Sequence, residues 1–444
     1  MEAKPGDLVK IITNTNEAFE GILMPQEKKS VVIKLKSGYN IGIDREKVNE
    51  IKIISKAGKE EKAKEEKKNN KQEENKKQSR TKGLPLISIL HTGGTIASRV
   101  DYRTGAVHAE FSPEDLLEMF PELKEITNIQ SKLVFQMFSE DYEPEHWSIL
   151  AEEIKKEIDN GVDGIIVTHG TDTMHYTAAA LSFMLENLNV PVILVGAQRS
   201  SDRGSSDAAI NLISASLFIA KTEFAGVAVC MHENTNDDSC LILPGLKVRK
   251  MHTSRRDAFR AINSKPIAKV NYKLKLVEFI TQKYNKKSDK KTILRTGFEK
   301  NIAIIKARPG LNYKEIEFYK DYKGIIFEGT GLGHLGVSVL DKYTHEHKKT
   351  LETIKELSKK IPVFMCSQCI NGRINMNVYS TGRDLQEQGV IPLEDMTSEA
   401  AYVKLGWLLA HNKDINEVKK LMKENIAGEI SERTEFYDSY NFEK

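Results

Sequence analysis

Cysteine is scarce in this chain: four in 444 residues, Cys230, Cys240, Cys366 and Cys369. That scarcity excludes a disulfide-stapled scaffold and predicts free thiols. Cys366-Ser-Gln-Cys369 has the spacing of a redox pair or of half a zinc site. No second Cys pair completes it, so packing beside a strand end is preferred and no metal is expected. Apolar runs long enough to span a bilayer are also lacking, and the N-terminal Met-Glu-Ala-Lys-Pro-Gly is no signal peptide. A cytosolic protein without membrane contact is expected. Charge of one sign is missing too: a net +3 over this length supplies no overall field for nucleic acid. Gly93-Gly94 is not followed by the Lys-Ser/Thr that closes a phosphate loop, and no internal repeat is evident.

What is present divides into five stretches. Residues 1–55 hold short, partly alternating segments (Leu8 to Ile12, Ala18 to Met24, Ser30 to Leu35, Tyr39 to Ile43, Val48 to Ile54) separated by polar turns, which predicts a small β-barrel. The barrel has no dense basic-aromatic face, so docking to a protein is as good a reading as contact with RNA. Residues 56–83 are dominated by Lys, Glu, Gln and Asn, with no aromatic or branched aliphatic residue from Lys56 to Lys82. Such a segment cannot offset its chain entropy by burial and is read as a solvated linker.

From residue 84 to 265, apolar strands at 84–90, 132–138, 163–168, 190–196 and 226–231 alternate with the helical patterns Ser112–Met119, His146–Ile158 and Asp207–Ile219. That alternation predicts a doubly wound α/β domain. Residues 266–300 are Lys-rich and less regular, as for edge strands and a domain connection. Ile302–Lys306, Gly324–Phe327 and Pro362–Met365, with helices between them, predict a second, smaller α/β domain over 301–444.

Two stretches of the first α/β domain share one design. Leu84-Pro-Leu-Ile-Ser-Ile-Leu-His-Thr-Gly-Gly-Thr95 and Gly164-Ile-Ile-Val-Thr-His-Gly-Thr-Asp-Thr173 each run from an apolar strand into a glycine-containing turn of hydroxyl residues. In a parallel α/β sheet that turn lies where ligands bind. The glycines, Gly94 and Gly170 among them, let the backbone approach a substrate and leave N–H groups for a developing anion. By itself Thr171-Asp172 reads equally as a helix cap, and Thr95 as a turn residue.

Together the two stretches resemble the signature motifs of the L-asparaginase/glutaminase family. The resemblance implies an asparaginase-like two-domain core with parallel sheets, preceded here by the all-β barrel. It matches Thr95 to the threonine that is acylated, Thr171 and Asp172 to the Thr-Asp of the second motif, and Lys250 to the lysine of a downstream Lys-x-x-Thr segment. Attack on a carboxamide needs a nucleophile, a base, oxyanion donors and a substrate clamp, and these residue types supply them. Apart from the resemblance, Lys250 in Leu-Lys-Val-Arg-Lys reads as a surface lysine. Ser139-Glu140 resembles the family's substrate-clamping segment, with a carboxylate in place of an amide. Tyr102 is the nearest candidate for the family's mobile-loop tyrosine, but its surroundings depart from the pattern and it is not counted.

The barrel, tether and asparaginase core together resemble the D-subunit family of archaeal glutamyl-tRNA(Gln) amidotransferases. That resemblance implies ammonia release from glutamine or asparagine for a partner, the E-subunit, which meets tRNA(Gln) and uses ATP and Mg. No cofactor is expected in this chain, and a homodimer within a heterotetramer is implied. The alternatives are a stand-alone cytoplasmic L-asparaginase with an accessory domain and a catalytically silent amino-acid-binding scaffold.

Overall fold

The structure, a computed structural model, describes residues 3–24, 30–35, 40–56, 80–94, 99–100, 107–108, 116–117, 120–199 and 206–434. Most of the 56–83 stretch, most of Ser112–Met119, and the residues Thr95 and Tyr102 lie outside them.

Five strands, β1 (Leu8–Thr13), β2 (Ala18–Leu23), β3 (Ser30–Leu35), β4 (Asn40–Asp44) and β5 (Val48–Ser55), form an antiparallel sheet in the order β4-β3-β2-β1-β5. Alternation along β1 buries Val9, Ile11 and Thr13 and leaves Lys10 outside, the period-2 pattern of a half-buried strand. Val9, Ile11, Leu23, Val31, Ile33 and Ile43 make a core separate from the rest of the chain.

The next unit is an eight-stranded mixed sheet. Its strands are β6 (Leu86–Gly93), β9 (Asn128–Met137), β10 (Gly164–Thr168), β12 (Pro191–Val195), β13 (Gly226–His232), β14 (Ser239–Pro244), β17 (Ala268–Asn271) and β18 (Leu276–Phe279). Two pairs, β7 (Arg99–Val100) with β8 (Val107–His108) and β15 (Val248–Lys250) with β16 (Phe259–Ala261), stand outside it, as does β11 (Leu185–Glu186) with β19 (Ile293–Leu294). The order is β18-β17-β14-β13-β12-β10-β6-β9. The half from β9 to β13 is parallel, and β14, β17 and β18 extend it antiparallel, so the sheet reaches Phe279. Ile165 and Val167 enter one core cluster and Ile166 another. Burial on both faces explains why this strand reads as a continuous apolar run. Helices α1 (Pro144–Asp159), α2 (Met174–Met184) and α3 (Ala208–Lys221) cover the sheet.

The second domain is a four-stranded parallel sheet, in order β20 (Ile302–Lys306), β21 (Gly324–Gly329), β22 (Val363–Ser367), β23 (Val390–Pro392). Its helices are α4 (Tyr313–Glu317), α5 (His347–Ser358), α6 (Ser380–Glu387), α7 (Ser398–His411) and α8 (Ile415–Lys423). Cys366 is buried at the end of β22 and Cys369 is exposed; all four cysteines are free. Helix α7 packs on α2, with Trp407 stacked on Phe183 at 5.7 Å, so one core cluster spans both domains. Burying each such large apolar side chain contributes roughly 1.5–3 kcal/mol, which holds the domains together along this seam. Among the described residues no helix is long and apolar enough to cross a membrane.

Candidate active site

Strands β6 and β10 are parallel neighbours whose register pairs His91 with Thr168, so their carboxyl ends open side by side. Gly93 and Gly94 follow one, and His169 to Thr173 follow the other. Gly94 has φ +78, and a Cβ there would meet Gly170 N at 2.6 Å. A Cβ on Gly170 would in turn meet Ser139 Cβ and Oγ at 2.8 Å. Three turns thus stack with no room for side chains, the close approach that glycine permits.

Thr173 is the N-cap of α2, yet its hydroxyl makes no capping bond; it donates instead to Ser139 O at 2.6 Å. Local capping is therefore not what these side chains do. Lys250 Nζ lies 2.8 Å from Thr171 Oγ1 and 2.7 Å from Asp172 Oδ1. Thr171 is buried and the Lys250 side chain only 11% exposed, whereas the Asp172 carboxylate is 65% exposed. A hydroxyl, an amine and a carboxylate in hydrogen-bond contact form a proton-moving set, open to solvent at the carboxylate. Ser139 is buried with its Oγ unpartnered, and Glu140, beside it in a short 3-10 turn, is exposed.

Neutral, fully bonded groups back this set. His169 Nδ1 donates to Gly170 O at 2.6 Å, so its Nε2 accepts from Thr177 Oγ1 at 2.8 Å, and Thr177 accepts from Trp147 Nε1 at 3.1 Å. Burial pushes His169 down to about 4, consistent with that uncharged tautomer. His91 bridges Thr168 Oγ1 at 3.0 Å and Ser131 Oγ at 2.9 Å and is likewise pushed down to about 4 by burial. Tyr142 Oη contacts Thr92 O at 2.6 Å and Thr92 Oγ1 at 2.7 Å, and Thr92 Oγ1 donates to Thr168 O at 2.7 Å. The first motif is in this way bonded to the second.

The structure therefore brings Thr171, Asp172 and Lys250 together and stacks Gly94, Gly170 and Ser139 beside them. Reading the sequence assigns no role to Tyr142 or, from the second domain, to Asp395 and Glu399. Asp395 Oδ2 pairs with Lys247 Nζ at 2.6 Å, and Glu399 Oε1 with Arg249 Nε at 3.0 Å. For the two acids, the basic residues before Lys250 are a signal that carboxylate partners are needed. Among the described residues no cluster of three or more His, Cys, Asp or Glu side chains is placed to hold a metal ion.

Comparison with known proteins adds an independent line. Residues 86–282 match the family described as Asparaginase, N-terminal; residues 301–422 match Glutaminase/Asparaginase C-terminal domain; residues 3–54 match GatD N-terminal domain. The glutamyl-tRNA(Gln) amidotransferase D-subunit of Pyrococcus furiosus is 49% identical over 97% of this chain and 95% of that protein. The protein of the same name from Methanococcus maripaludis is 47% identical over 96% of this chain and 98% of its own length. Among solved structures, the thermostable L-asparaginase from Thermococcus kodakarensis is 32% identical with a TM-score of 0.69, covering 78% of this chain and 100% of its own. L-asparaginase I from Vibrio cholerae is 28% identical with a TM-score of 0.67, over 78% of this chain and 99% of its own. With an asparaginase-type core in two parts behind an N-terminal β unit, and likeness to these relatives along nearly its whole length, the chain belongs to the D-subunit family of the glutamyl-tRNA(Gln) amidotransferases.

Proposed function

We propose that this chain hydrolyses the side-chain amide of glutamine or asparagine and supplies the ammonia to the amidotransferase E-subunit, which converts Glu-tRNA(Gln) to Gln-tRNA(Gln) with ATP and Mg. Contact of Lys250 Nζ with both Thr171 Oγ1 and Asp172 Oδ1 is the observation that carries the reading. Thr95 attacks the amide carbon, giving a tetrahedral oxyanion that backbone N–H groups of the glycine turns can stabilise. Collapse breaks the C–N bond, and the nitrogen leaves as ammonia with the Thr95 hydroxyl proton passed to it through Thr171 and Lys250. Water then attacks the acyl-threonine, the same groups take its proton and return it to Thr95 Oγ1 as the acyl C–O bond breaks, and the free acid leaves. Asp172 holds Lys250 and offers its exposed carboxylate to the substrate's ammonium group. Ser139 and Glu140 complete the clamp. The chain works in the cytosol, as a homodimer within a heterotetramer, and its own site needs no cofactor.

The test is ammonia release from glutamine and from asparagine by the purified chain, with and without the E-subunit, Glu-tRNA(Gln) and ATP. Strong dependence on partner and tRNA supports the proposal. Rapid hydrolysis that ignores the partner would make the chain a stand-alone asparaginase with an accessory domain. No release under any condition, with amino acid still bound, would make it a silent scaffold.

A further inference from the structure

Lys250 stands on β15, which is three residues long and, among the described residues, pairs only with β16, outside the main sheet. So short a two-stranded ribbon does not hold itself. Lysine adds a flexible four-carbon stem, so the place of its Nζ depends on the place of the ribbon.

Three contacts fix the ribbon from the second domain. Lys247, one residue before β15, pairs with Asp395 at 2.6 Å, and both side chains are buried. Arg249, inside β15, pairs with Glu399 at 3.0 Å. Asn263, just beyond β16, donates to Asp395 O at 2.9 Å and to Gly372 O at 3.1 Å and accepts from Gly372 N at 2.7 Å. Side chains alternate along extended chain, so residues 247 and 249 leave one face toward the second domain while Lys250 leaves the other toward Thr171.

The acidic partners are themselves anchored. Asp395 Oδ1 accepts from Ser431 N at 3.0 Å. Glu399 lies in the first turn of α7, and its Oε2 is buried with no hydrogen-bond partner, while His175 Nε2 stands 4.0 Å from its Oε1. A buried carboxylate left partly unsatisfied is a poor source of stability. What it does here is hold Arg249.

We propose that Glu399 and Asp395 are positioning residues: through Arg249 and Lys247 they set the β15–β16 ribbon so that Lys250 Nζ stays between Thr171 and Asp172. The inference rests on the assignment of Lys250 to the reaction. Neither acid touches the reacting set, so they act on turnover more than on substrate binding.

The test uses the full chain with its partner. Glu399→Gln, Arg249→Met and the double variant are compared for kcat and KM of ammonia release, alongside deuterium uptake by the backbone of residues 247–262. Glu356→Gln, which removes only an exposed pair with Lys359, is the control. Glu399→Gln should lower kcat about 10-fold, or about 1.4 kcal/mol, and leave KM within about two-fold. Exchange over 247–262 should quicken, with the Met174–Met184 helix unchanged. Acting through one tie, the double variant should be no slower than the worse single one. Asp395→Asn combined with Lys247→Met, which removes both charges of the Lys247–Asp395 pair, should show the same exchange signature. Unchanged kcat in the folded variants, a rise in KM alone, or multiplying effects would overturn the inference. Unchanged exchange would overturn it as well, and that readout holds even if the wild-type chain released no ammonia and the functional reading itself failed.

Discussion

The backbone of Gly170 passes so close to Gly94 that a single added carbon on Gly94 would lie 2.6 Å from Gly170 N. Gly94→Ala therefore has two costs, roughly 1–2 kcal/mol for the left-handed backbone and a displacement of one turn from the other. A misplacement near 1 Å can lower a rate about 100-fold. Ammonia release should fall by at least that factor, and retention of wild-type release would show that the stacking of the two turns is dispensable.

Lys250→Ala and Thr171→Val should each reduce ammonia release by about 10²–10⁴-fold while the protein remains folded. Stability is spared in the lysine variant because the stranded Asp172 carboxylate is 65% exposed and water takes over its solvation; such a pair contributes about 0–1 kcal/mol. Circular dichroism melts and an ammonia assay read both halves. Normal release by either variant would sink the assignment of the site.

Lys404 and Glu429 form an ion pair with both side chains fully buried. Lys404→Met leaves Glu429 as an uncompensated buried charge, at about 3–5 kcal/mol, and the urea midpoint should drop accordingly. Adding Glu429→Leu should recover only part, because Glu429 also accepts from Ile426 N and Ala427 N. A neutral single variant would mean that water reaches the pair.

Acid should destabilise the first α/β domain before its carboxylates are protonated. His91 and His169 are pushed by burial from 6.5 to about 4, so between those values the unfolded chain binds more protons than the folded one. Stability is then complete above about pH 6.5 and is lost as pH falls toward 4, by up to ~3 kcal/mol for each histidine. Urea midpoints for wild type and His91→Gln at pH 7 and pH 5 test this. The variant should show the smaller drop, and equal drops would exclude His91 as a source.

Deleting residues 1–79 should leave a folded core with its ammonia-releasing chemistry. The N-terminal sheet has its own six-residue apolar core, whereas Thr81 is already bonded to Asn128, by Thr81 N to Asn128 Oδ1 at 2.8 Å and by Asn128 Nδ2 to Thr81 O at 3.1 Å. An insoluble or inactive truncated chain would refute independence of the two units.

Much of this fold is legible because its signals are local. The run Ile165 to Val167 is apolar since both faces of β10 are covered, and the Gly-Thr-Asp that follows marks the strand end. The alternation of Val9, Lys10 and Ile11 marks β1 in the same local way. Lys250 is different. Lys247, Arg249 and Lys250 form one basic cluster in sequence, yet they have three fates in space, set by Asp395, Glu399 and the Thr171-Asp172 pair. The partner of Lys247 lies 148 residues away. No periodicity encodes such a pairing. Glu399 is hidden for a related reason: α7 is buried nearly all round from Ser398 to Leu408, so a carboxylate there carries no pattern of its own.

The tie between Asp395 and Ser431 N bears on the order in which the molecule is made. Lys404 in α7 finds its carboxylate only at Glu429, and Asp395, which holds Lys247, is itself held by the backbone at residue 431. Thr171, Asp172 and Lys250 leave the ribosome long before that point. Asp395 thus gains this tie only after translation has passed the segment around residue 431, well after Lys247 and its neighbours have been made.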